Sequence, residues 1–285
     1  MNPETHEKLG RLRSLFLEKR RVLVAFSGGV DSTVCMKIAH DVLGTDNAIA
    51  VTANSETLTP AEFEQACAIA RDQGWNHRVI TYSQLDDEEQ ARNPVNRCYL
   101  CKRDLYSRLS ELARDLDCSS IIDGANYDDT SDFRPGMSAA REQGVVSPML
   151  ECGVTKREIR EMAREFGLPN WNKPSGACLA SRFAYGARIT RDGLNRVGQA
   201  EEYLRLEGFS QVRVRNHDNL ARIEVPVTEI HRFISNGLWA RAVQRLRELG
   251  FQYVTLDLAG YRTGSMNEIL GDGQKQAAYR HAPAS

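Results

Sequence analysis

The segment richest in groups that can do chemistry reads AFSGGVDSTV and occupies residues 25–34. Two adjacent glycines let a backbone approach a ligand closely, and the hydroxyls of Ser27 and Ser32 lie beside the backbone amides at the start of a predicted helix. A helix start carries partial positive charge and binds anions. A tight strand-to-helix turn with a serine cap is the alternative, but a turn alone seldom needs this composition. The segment therefore predicts a phosphate-binding loop.

Cysteines form the second candidate site. Cys98 and Cys101 stand in C-x-x-C spacing within NRCYLCKRDLY, residues 96–106, and no second C-x-x-C follows. On spacing alone they are half of a metal-binding knuckle or simply two cysteines at a helix start. Cys178 lies in NKPSGACLASRF, where the Pro-Ser-Gly run indicates a loop and the neighbouring Lys173 and Arg182 favour the thiolate. A reactive thiol and a small buried cysteine are both compatible with that position.

Composition limits the class of protein. The chain has 285 residues, of which 26% are charged, and a formal net charge of -1, which disfavours a nucleic-acid-binding surface. No apolar run reaches the ~18 residues of a membrane-spanning helix, and the N-terminus lacks the apolar core of a signal peptide. We therefore expect a cytoplasmic protein of about two domains with reduced thiols. Four further cysteines are expected in the core: Cys35, Cys67, Cys118 and Cys152.

Strand and helix patterns alternate along the first part of the chain. Apolar, β-rich runs at 21–26, 47–53, 76–82 and 119–126 are separated by helical patterns at 32–44, 59–74 and 101–117, and another helix is predicted at 155–169. This alternation is typical of βαβ crossovers and predicts an α/β domain with a doubly wound parallel sheet over residues 1–182. Ligands bind such sheets at the carboxyl ends of the strands.

The pattern changes in the last third of the chain. A helix at 191–206, the strands QVRVRN and LARIEV, a helical stretch at about 227–249 and the strand YVTLDL predict a smaller C-terminal α+β domain over 183–271. We expect this domain to bind substrate or to mediate oligomerisation. Residues 272–285 are predicted to be a disordered tail.

The S-G-G-x-D-S pattern after a first strand resembles the pyrophosphatase loop (PP-loop) of the N-type ATP pyrophosphatases. That superfamily has an adenine nucleotide alpha hydrolase-like fold and includes GMP, NAD and argininosuccinate synthetases and tRNA thiolation enzymes. The resemblance implies cleavage of ATP to AMP and pyrophosphate with adenylation of a carboxyl or carbonyl oxygen. It assigns catalytic roles to Asp31 and Ser32 and implies that the pyrophosphate is bound by Ser27, Gly28, Gly29, Asp31 and Ser32.

The same resemblance extends the ATP site to two further segments. The end of the second strand, with Thr52 and Asn54, would line the adenine, and the DGANYDD loop over 123–129, with Gly124, would close the site. Asp128 or Asp129 would hold Mg²⁺, because carboxylates suit that hard cation. The alternative for these two acids is an ordinary solvated loop.

Longer matches are more specific. FSGGVDST, KPSGACLASRFAYG, GFSQVRVRNHDNLARIEV and YVTLDLAGYRTGSMNE together resemble the LarE family over nearly the whole chain. Members are ATP-dependent sulfur transferases that mature the nickel-pincer cofactor of lactate racemase. The resemblance implies adenylation of the carboxylates of pyridinium-3,5-biscarboxylic acid mononucleotide, followed by replacement of AMP by sulfur to give thiocarboxylates in two rounds. It also implies a homo-oligomer.

The family has two sulfur sources. In one form the cysteine at the position of Cys178 gives up its own sulfur and is left as dehydroalanine. In the other form three cysteines hold a [4Fe-4S] cluster whose fourth iron can carry a sulfide, which a sulfide donor must supply. Cys98, Cys101 and Cys178 match the three-cysteine form, so we expect the cluster. Zinc held by three sulfurs is the rival.

The acceptor carries a phosphate and carboxylates, so cationic side chains should meet it. Arg213 and Arg215 alternate on a predicted strand and therefore point to the same face, and arginine suits bidentate phosphate binding. The resemblance supports them as ligands of the substrate phosphate, and solvated strand residues are the alternative. Arg182 is a further candidate for substrate binding, and Glu201 for positioning a metal or the substrate.

Two other classes of function were weighed against sulfur transfer to a small molecule. A tRNA thiolation enzyme shares the ATP loop and sometimes a three-cysteine cluster, but it would need a basic RNA-binding surface, which the net charge disfavours. A non-catalytic AMP-binding or metal-storage module is disfavoured by the complete phosphate loop. The expected partners are therefore ATP, the mononucleotide and a sulfide donor, with no membrane and no nucleic acid.

Overall fold

The structure is a computed structural model, and it describes residues 1–131, 135–174, 176–235, 237–262 and 264–280. Two compact units are formed. The first contains the described residues of Met1–Tyr82, Asn96–Ser175 and Ala278–Ser285, and the second contains those of Ser83–Val95 and Gly176–Ala277.

The elements are numbered in chain order. The strands are β1 (Val22–Ala25), β2 (Ala48–Asn54), β3 (Asn76–Thr81), β4 (Ser120–Ile122), β5 (Arg213–His217), β6 (Leu220–Glu224) and β7 (Tyr253–Leu256). The α-helices are α1 (Pro3–Leu17), α2 (Val30–Leu43), α3 (Pro60–Asp72), α4 (Glu88–Ala91), α5 (Arg97–Asp115), α6 (Gly136–Glu142), α7 (Pro148–Glu151), α8 (Lys156–Glu165), α9 (Arg191–Leu206), α10 (His231–Ser235), α11 (Leu238–Glu248) and α12 (Asp272–Arg280). Short 3₁₀ helices are Tyr127–Ser131, Leu179–Arg182, Val227–Glu229 and Ser265–Asn267.

The first unit is built on a parallel four-stranded sheet in the order β3-β2-β1-β4, which confirms the predicted α/β class. Val22 and Val24 of β1 pack in a core with α1, α2, α3 and α8, whereas Leu23 packs in a core with α5. Successive side chains of a strand point to opposite faces, so both faces of the sheet are covered by helices. The strand order reverses direction between β1 and β4, and ligands bind doubly wound sheets at such a point.

Local sequence signals set several helix starts. Thr59 and Glu62 form a reciprocal capping box at α3, with Pro60 at the first helical position, as the sequence predicts. Thr155 and Glu158 form the same box at α8. Helix α5 begins at Arg97, before its predicted start at residue 101.

The second unit has a three-stranded mixed sheet. Strands β5 and β6 are antiparallel, and β6 and β7 are parallel. Helix α9 packs Leu194, Val197, Ala200 and Leu204 against this sheet, since these positions recur on one face of the helix. The unit therefore has the predicted α+β composition. The helical stretch expected at 227–249 is divided into a 3₁₀ turn, α10 and α11, with Gly237 in the left-handed region (φ 61°) before α11 and Asn236 outside the described residues.

The units divide the chain differently from the predicted boundary after residue 182. The division falls between Ser175 and Gly176, and Ser83–Val95 belongs to the second unit. Leu85 in this segment packs against the core of the second unit, which explains the assignment.

The expectation of a disordered tail over 272–285 is wrong for residues 272–280, which form α12 with Ala278 buried. Residues 281–285 lie outside the described residues. Among the described residues, no helix combines the length and apolar character needed to span a bilayer.

Candidate active site

The phosphate-binding loop follows β1. The N–H of Phe26 still donates to the backbone oxygen of Val51 on β2 (2.8 Å), and the chain then turns through Gly28, whose φ is +68°. Helix α2 begins at Val30, and its cap position is Gly29, which offers no side chain to the free amides. The first amides of α2 are therefore available to an anion, as the sequence predicts.

The two serines of the loop are tied together. The Ser32 hydroxyl accepts a hydrogen bond from the Ser27 amide (3.2 Å) and donates to the Gly29 carbonyl (3.1 Å). The hydroxyls of Ser27 and Ser32 are 3.2 Å apart, and Ser27 is exposed while Ser32 is buried. These bonds span at most five residues, so the loop shape is a local property of the sequence.

Close packing explains two glycines of the predicted site. A Cβ on Gly28 would lie 2.8 Å from the Cβ of Ala66 on α3, and a Cβ on Gly124 would lie 2.9 Å from the amide nitrogen of Ser32. The loop after β4 therefore lies directly on the start of α2. This contact brings together the ends of β1 and β4, where the strand order reverses.

Two residues outside the predicted set support the loop. Asn170 is 2% exposed, and its amide nitrogen donates to the Gly28 carbonyl (3.0 Å) and to the Thr33 hydroxyl (2.9 Å). The ammonium of Lys173 lies 3.5 Å from the same carbonyl and 2.6 Å from the amide oxygen of Gln65. Both residues lie in the polar run NWNKP, which the sequence marks only as a loop.

A third missed residue is Lys156, the first residue of α8. Its ammonium forms an ion pair with the carboxylate of Asp31, and both side chains are 26% exposed. Its backbone N–H donates to the carboxylate of Asp128 (2.7 Å), and Asp129 accepts from the amide of Asn126 (3.1 Å). The predicted Mg²⁺ ligands thus already accept hydrogen bonds from backbone amides: Asp128 from the start of α8, and Asp129 from its own loop. The Thr155 capping box was a signal that could have pointed to Lys156, because it fixes the start of the helix.

Strands β2 and β3 contribute a polar pair, a buried threonine and a half-buried histidine. Thr52, predicted to line the adenine, is 1% exposed, and its hydroxyl donates to the Phe26 carbonyl (2.9 Å) and lies 2.8 Å from Nε2 of His77. Burial lowers the pKa of His77, so the neutral ring is favoured. Asn54, the last residue of β2, is half-buried. The Thr52 side chain therefore supports the strand end, while Asn54 remains partly accessible.

The C-x-x-C pair lies on the first turns of α5. Cys98 is exposed and Cys101 is half-buried, and residues three apart share a helix face. A Cβ on Gly136 would lie 3.2 Å from the Cys98 carbonyl, so α6 packs closely on this end of α5.

A buried polar cluster follows the cysteines on α5. The Tyr106 hydroxyl donates to Asp123 (3.0 Å), whose other carboxylate oxygen accepts from Ser147 (2.7 Å). Burial raises the pKa of Tyr106 to about 12. The electrostatic attraction of Tyr106, and then of Asp123 and Cys101, raises the pKa of Lys102. Asp123 is also the first residue after β4, so this cluster joins α5 to the loop that packs on α2.

Cys178 is exposed and immediately precedes the 3₁₀ turn Leu179–Arg182. Ser175 lies outside the described residues. Arg182, by contrast, is 2% exposed and forms a bidentate pair with Glu201, which is fully buried (2.7 and 2.9 Å). Burial favours the neutral carboxyl, but the hydrogen bonds and charge of Arg182 hold the pKa of Glu201 below its ordinary value.

The two arginines of β5 are also buried. Arg215 forms a bidentate pair with Glu224 (2.9 and 2.8 Å) and donates to the Ser181 carbonyl (2.7 Å). Arg213 donates to the Val212 carbonyl (2.8 Å), and burial, together with the nearby Arg182 charge, lowers its pKa. The structure therefore brings Arg182, Glu201, Arg213 and Arg215 together in one charged cluster of the second unit, with contacts inside the protein.

The three cysteines have donor chemistry that fits an iron–sulfur cluster, since thiolates are its usual ligands. Cys98 and Cys178 are exposed, and Cys101 is partly so. Within the described part of the chain, no group of three or more His, Cys, Asp or Glu side chains is gathered as a metal site. Cys98 and Cys101 belong to the first unit and Cys178 to the second.

Comparison with known proteins gives one family match and three relatives. Residues 16–103, which include the phosphate loop, match the NAD synthase family. The chain is 42% identical over 267 residues to the pyridinium-3,5-bisthiocarboxylic acid mononucleotide synthase of Lactiplantibacillus plantarum, which covers 94% of this chain and 96% of that protein. It is 47% identical to an uncharacterized protein of Synechocystis sp., over 92% of this chain and 98% of the relative. An uncharacterized protein of Methanocaldococcus jannaschii is 26% identical over 90% of this chain and 98% of the relative.

Proposed function

The chain belongs to the LarE family of pyridinium-3,5-bisthiocarboxylic acid mononucleotide synthases, and on this premise we propose that it is an ATP-dependent sulfur transferase acting on pyridinium-3,5-biscarboxylic acid mononucleotide. The observation that carries the proposal is 42% identity over 94% of the chain to a protein of that name. The phosphate loop on a parallel sheet supports the use of ATP. The product serves the nickel-pincer cofactor.

The first step of the proposal is adenylation of a substrate carboxylate. One carboxylate oxygen attacks the α-phosphorus of ATP, and the bond to pyrophosphate breaks. The free amides at the start of α2, the hydroxyls of Ser27 and Ser32 and the ammonium of Lys156 provide positive ends for the departing anion. Asp128 and Asp129 are the proposed Mg²⁺ ligands by the chemistry of their oxygens.

The second step replaces AMP by sulfur. We assign a role in this step to Cys178, whose exposed position supports it. Cys98, Cys101 and Cys178 would hold a [4Fe-4S] cluster, which when bound supplies an iron able to carry sulfide. Direct loss of sulfur from Cys178 is the alternative within the same reaction. Arg213 and Arg215 are the proposed ligands of the substrate phosphate, and their buried pairing in the free protein means that they must exchange partners to take that role.

The reaction itself is tested by supplying the biscarboxylic acid mononucleotide, ATP and sulfide to the purified protein under anaerobic conditions. Formation of AMP and pyrophosphate together with thiocarboxylate is expected, read by mass spectrometry of the nucleotide. Asp31→Ala should abolish AMP formation. If thiolation appears on tRNA and the mononucleotide stays unmodified, the proposal is wrong.

The sulfur source needs its own experiment. The reconstituted protein should contain iron and sulfide and should absorb at about 400 nm, as a thiolate-ligated cluster does. Substitution of any one of the three cysteines should abolish this absorbance. If no iron binds and Cys178 becomes about 34 Da lighter after one turnover, its own sulfur has been transferred.

The proposal extends to the cellular compartment and the oligomeric state of the protein. We place the reaction in a reducing compartment such as the cytoplasm, because such a compartment keeps thiols reduced and a cluster needs its cysteine ligands in that state. A homo-oligomer is supported by large exposed apolar side chains of the second unit, among them Ile234, Trp239 and Leu258. Light scattering of the purified protein tests this part.

A further inference from the structure

The backbone of the turn that carries Cys178 is held by several hydrogen bonds, although the Cys178 side chain is exposed. The carbonyl oxygen of Cys178 accepts hydrogen bonds from the Ser181 amide (2.9 Å), the Ser181 hydroxyl (2.8 Å) and Nη1 of Arg182 (3.1 Å). Nη1 of Arg182 also donates to the Ala177 carbonyl (2.9 Å). One guanidinium group therefore fixes two successive peptide groups, those on either side of the Cys178 α-carbon.

Arg182 is in turn fixed from the interior of the second unit. Its Nε and Nη2 donate to the two carboxylate oxygens of Glu201 on α9. Glu201 accepts further hydrogen bonds from Arg205 (2.8 Å) and from the backbone amide of Val214 on β5 (3.0 Å). The carboxylate thus joins the Cys178 turn to both a helix and a strand of the core, and its bonds to Arg182 and to the Val214 amide are buried.

Burial and geometry argue against the sequence expectation that Arg182 meets the substrate. The side chain is 2% exposed, and its donors are directed at a carboxylate and at carbonyl groups of its own unit. A substrate phosphate could engage it only by displacing Glu201 or the carbonyls of the Cys178 turn, and either exchange would break bonds that hold this buried group. Arg182 is placed to hold the protein chain.

We propose that Arg182 and Glu201 are positioning residues that hold the main chain of Cys178, and thereby place the transferred sulfur for attack on the activated carboxyl carbon, whether Cys178 acts as a cluster ligand or as the sulfur donor. The inference rests on the proposed role of Cys178 in the sulfur step. With the peptide groups on both sides fixed, rotation about the Cα–Cβ bond is the main freedom left to the sulfur. Misplacement of a reacting atom by about 1 Å can cost about 100-fold in rate, so such anchoring is functionally important.

The experiment uses the full-length protein and the substitution Arg182→Lys, which keeps a positive charge opposite Glu201 and removes the planar fork. Arg196→Lys is the matched control, because Arg196 also binds backbone carbonyls of the second unit, those of Gly250 and Asp218 (both 3.1 Å). Ser181→Ala removes one donor to the Cys178 carbonyl at a half-buried position, and it leaves the core intact.

Two readouts are taken for each variant: hydrogen exchange of the amides in residues 179–183, and pyrophosphate and thiocarboxylate formed in a single turnover. Arg182→Lys should accelerate exchange in this peptide and reduce thiocarboxylate formation by about 10- to 100-fold, while pyrophosphate, which leaves in the adenylation step, forms within about twofold of the wild type. Ser181→Ala should change both in the same direction by a smaller factor. Arg196→Lys should change neither.

Other outcomes overturn the inference. If Arg182→Lys lowers pyrophosphate formation as much as thiocarboxylate formation, and a higher mononucleotide concentration restores both, Arg182 is a substrate ligand. If exchange in residues 179–183 is unchanged, the turn does not depend on the guanidinium. If the wild-type protein releases pyrophosphate but forms no thiocarboxylate, the proposed function fails, and the exchange data still decide whether Arg182 holds the turn.

Discussion

The phosphate loop and the Cys178 turn present reactive groups in two different ways. In the loop, hydrogen bonds between residues at most five positions apart shape a Gly-rich backbone at a helix start. In the Cys178 turn, the backbone is held by an arginine whose partner lies 19 residues away on another helix. The first construction depends on small residues and open amides, and the second depends on a buried ion pair. Substitutions should therefore affect the two regions in different ways.

The largest expected effect is that of Glu201→Ala. Removing the carboxylate leaves the Arg182 guanidinium buried without its partner, which should cost about 3–5 kcal/mol of unfolding free energy. Urea denaturation followed by circular dichroism measures this. Glu88→Ala is the control, because Glu88 pairs with Arg188 and Arg92 on the exposed surface, where such pairs contribute little. Equal effects of the two substitutions would remove the distinction between buried and surface pairs.

Gly28→Ala should be next in size and should affect the loop. A left-handed φ costs a non-glycine residue about 1–2 kcal/mol, and the contact with Ala66 adds an overpacking cost of about 1–3 kcal/mol. ATP binding, measured by calorimetry, should weaken with stability. Gly167→Ala separates the two costs, since Gly167 has a similar φ of +66° and no atom within 4 Å of the added Cβ. If both variants lose equal stability, close packing at Gly28 is unimportant.

How far the sequence predicts this molecule depends on the range of the interactions. The parallel sheet is predictable because both its faces are buried, so its strands read as apolar runs between amphipathic helices. The loop is predictable because Ser27, Gly28 and Ser32 determine its shape among themselves. The role of Gly124 came from resemblance alone, and the structure adds its physical reason, which is contact with the Ser32 amide.

The remaining features depend on contacts that the sequence does not encode locally. The sequence makes Arg182 and Glu201 candidates for contact with the substrate or a metal, and their buried pairing depends on how the second unit folds around them. Asn170 lies 142 residues from Gly28, and nothing in NWNKP indicates that it will bind that carbonyl. The alternation of Arg213 and Arg215 on a strand was recognised, but burial against Glu224 could not be foreseen from spacing.

Asn170→Ala tests whether the loop is as local as the comparison implies. The substitution leaves the Gly28 carbonyl and the Thr33 hydroxyl with one donor fewer in a buried place, at a cost of about 1–3 kcal/mol. ATP affinity should fall by less than in Gly28→Ala, since the glycine backbone is kept. Asn172→Ala, at an exposed position of the same run, serves as the control. A larger loss of ATP affinity in Asn170→Ala than in Gly28→Ala would show that the conformation of the loop also depends on residues distant in sequence.

The smallest effect concerns pH. Because burial lowers the pKa of His77, the unfolded chain takes up the proton at higher pH than the folded chain. The stability that depends on a neutral His77 ring is therefore fully present above the unfolded pKa of about 6.5. This stability is lost as the pH falls through the folded pKa of His77. His77→Gln can still donate to Thr52 and should remove this part of the pH dependence in urea titrations.

His6→Gln, at an exposed position of α1, should leave the pH dependence of the wild type unchanged. The hydrogen exchange of residues 179–183 should also be indifferent to pH in this window after correction for intrinsic exchange, because the anchoring carboxylate of Glu201 stays ionised there. A parallel loss of protection in the Cys178 turn would show that His77 influences both regions.

The segment Ser83–Val95 determines how the gene can be divided. It is encoded between two parts of the first unit but folds with the second, where the Asn93 amide donates to the carbonyls of Phe183 (3.2 Å) and Ala184 (2.8 Å). A polypeptide ending at residue 182 would carry this segment without those partners. To express the first unit by itself, residues 83–95 should be deleted and the flanking residues joined by a short linker. A single crossover therefore cannot exchange one complete unit between relatives, because each unit is encoded in separate segments.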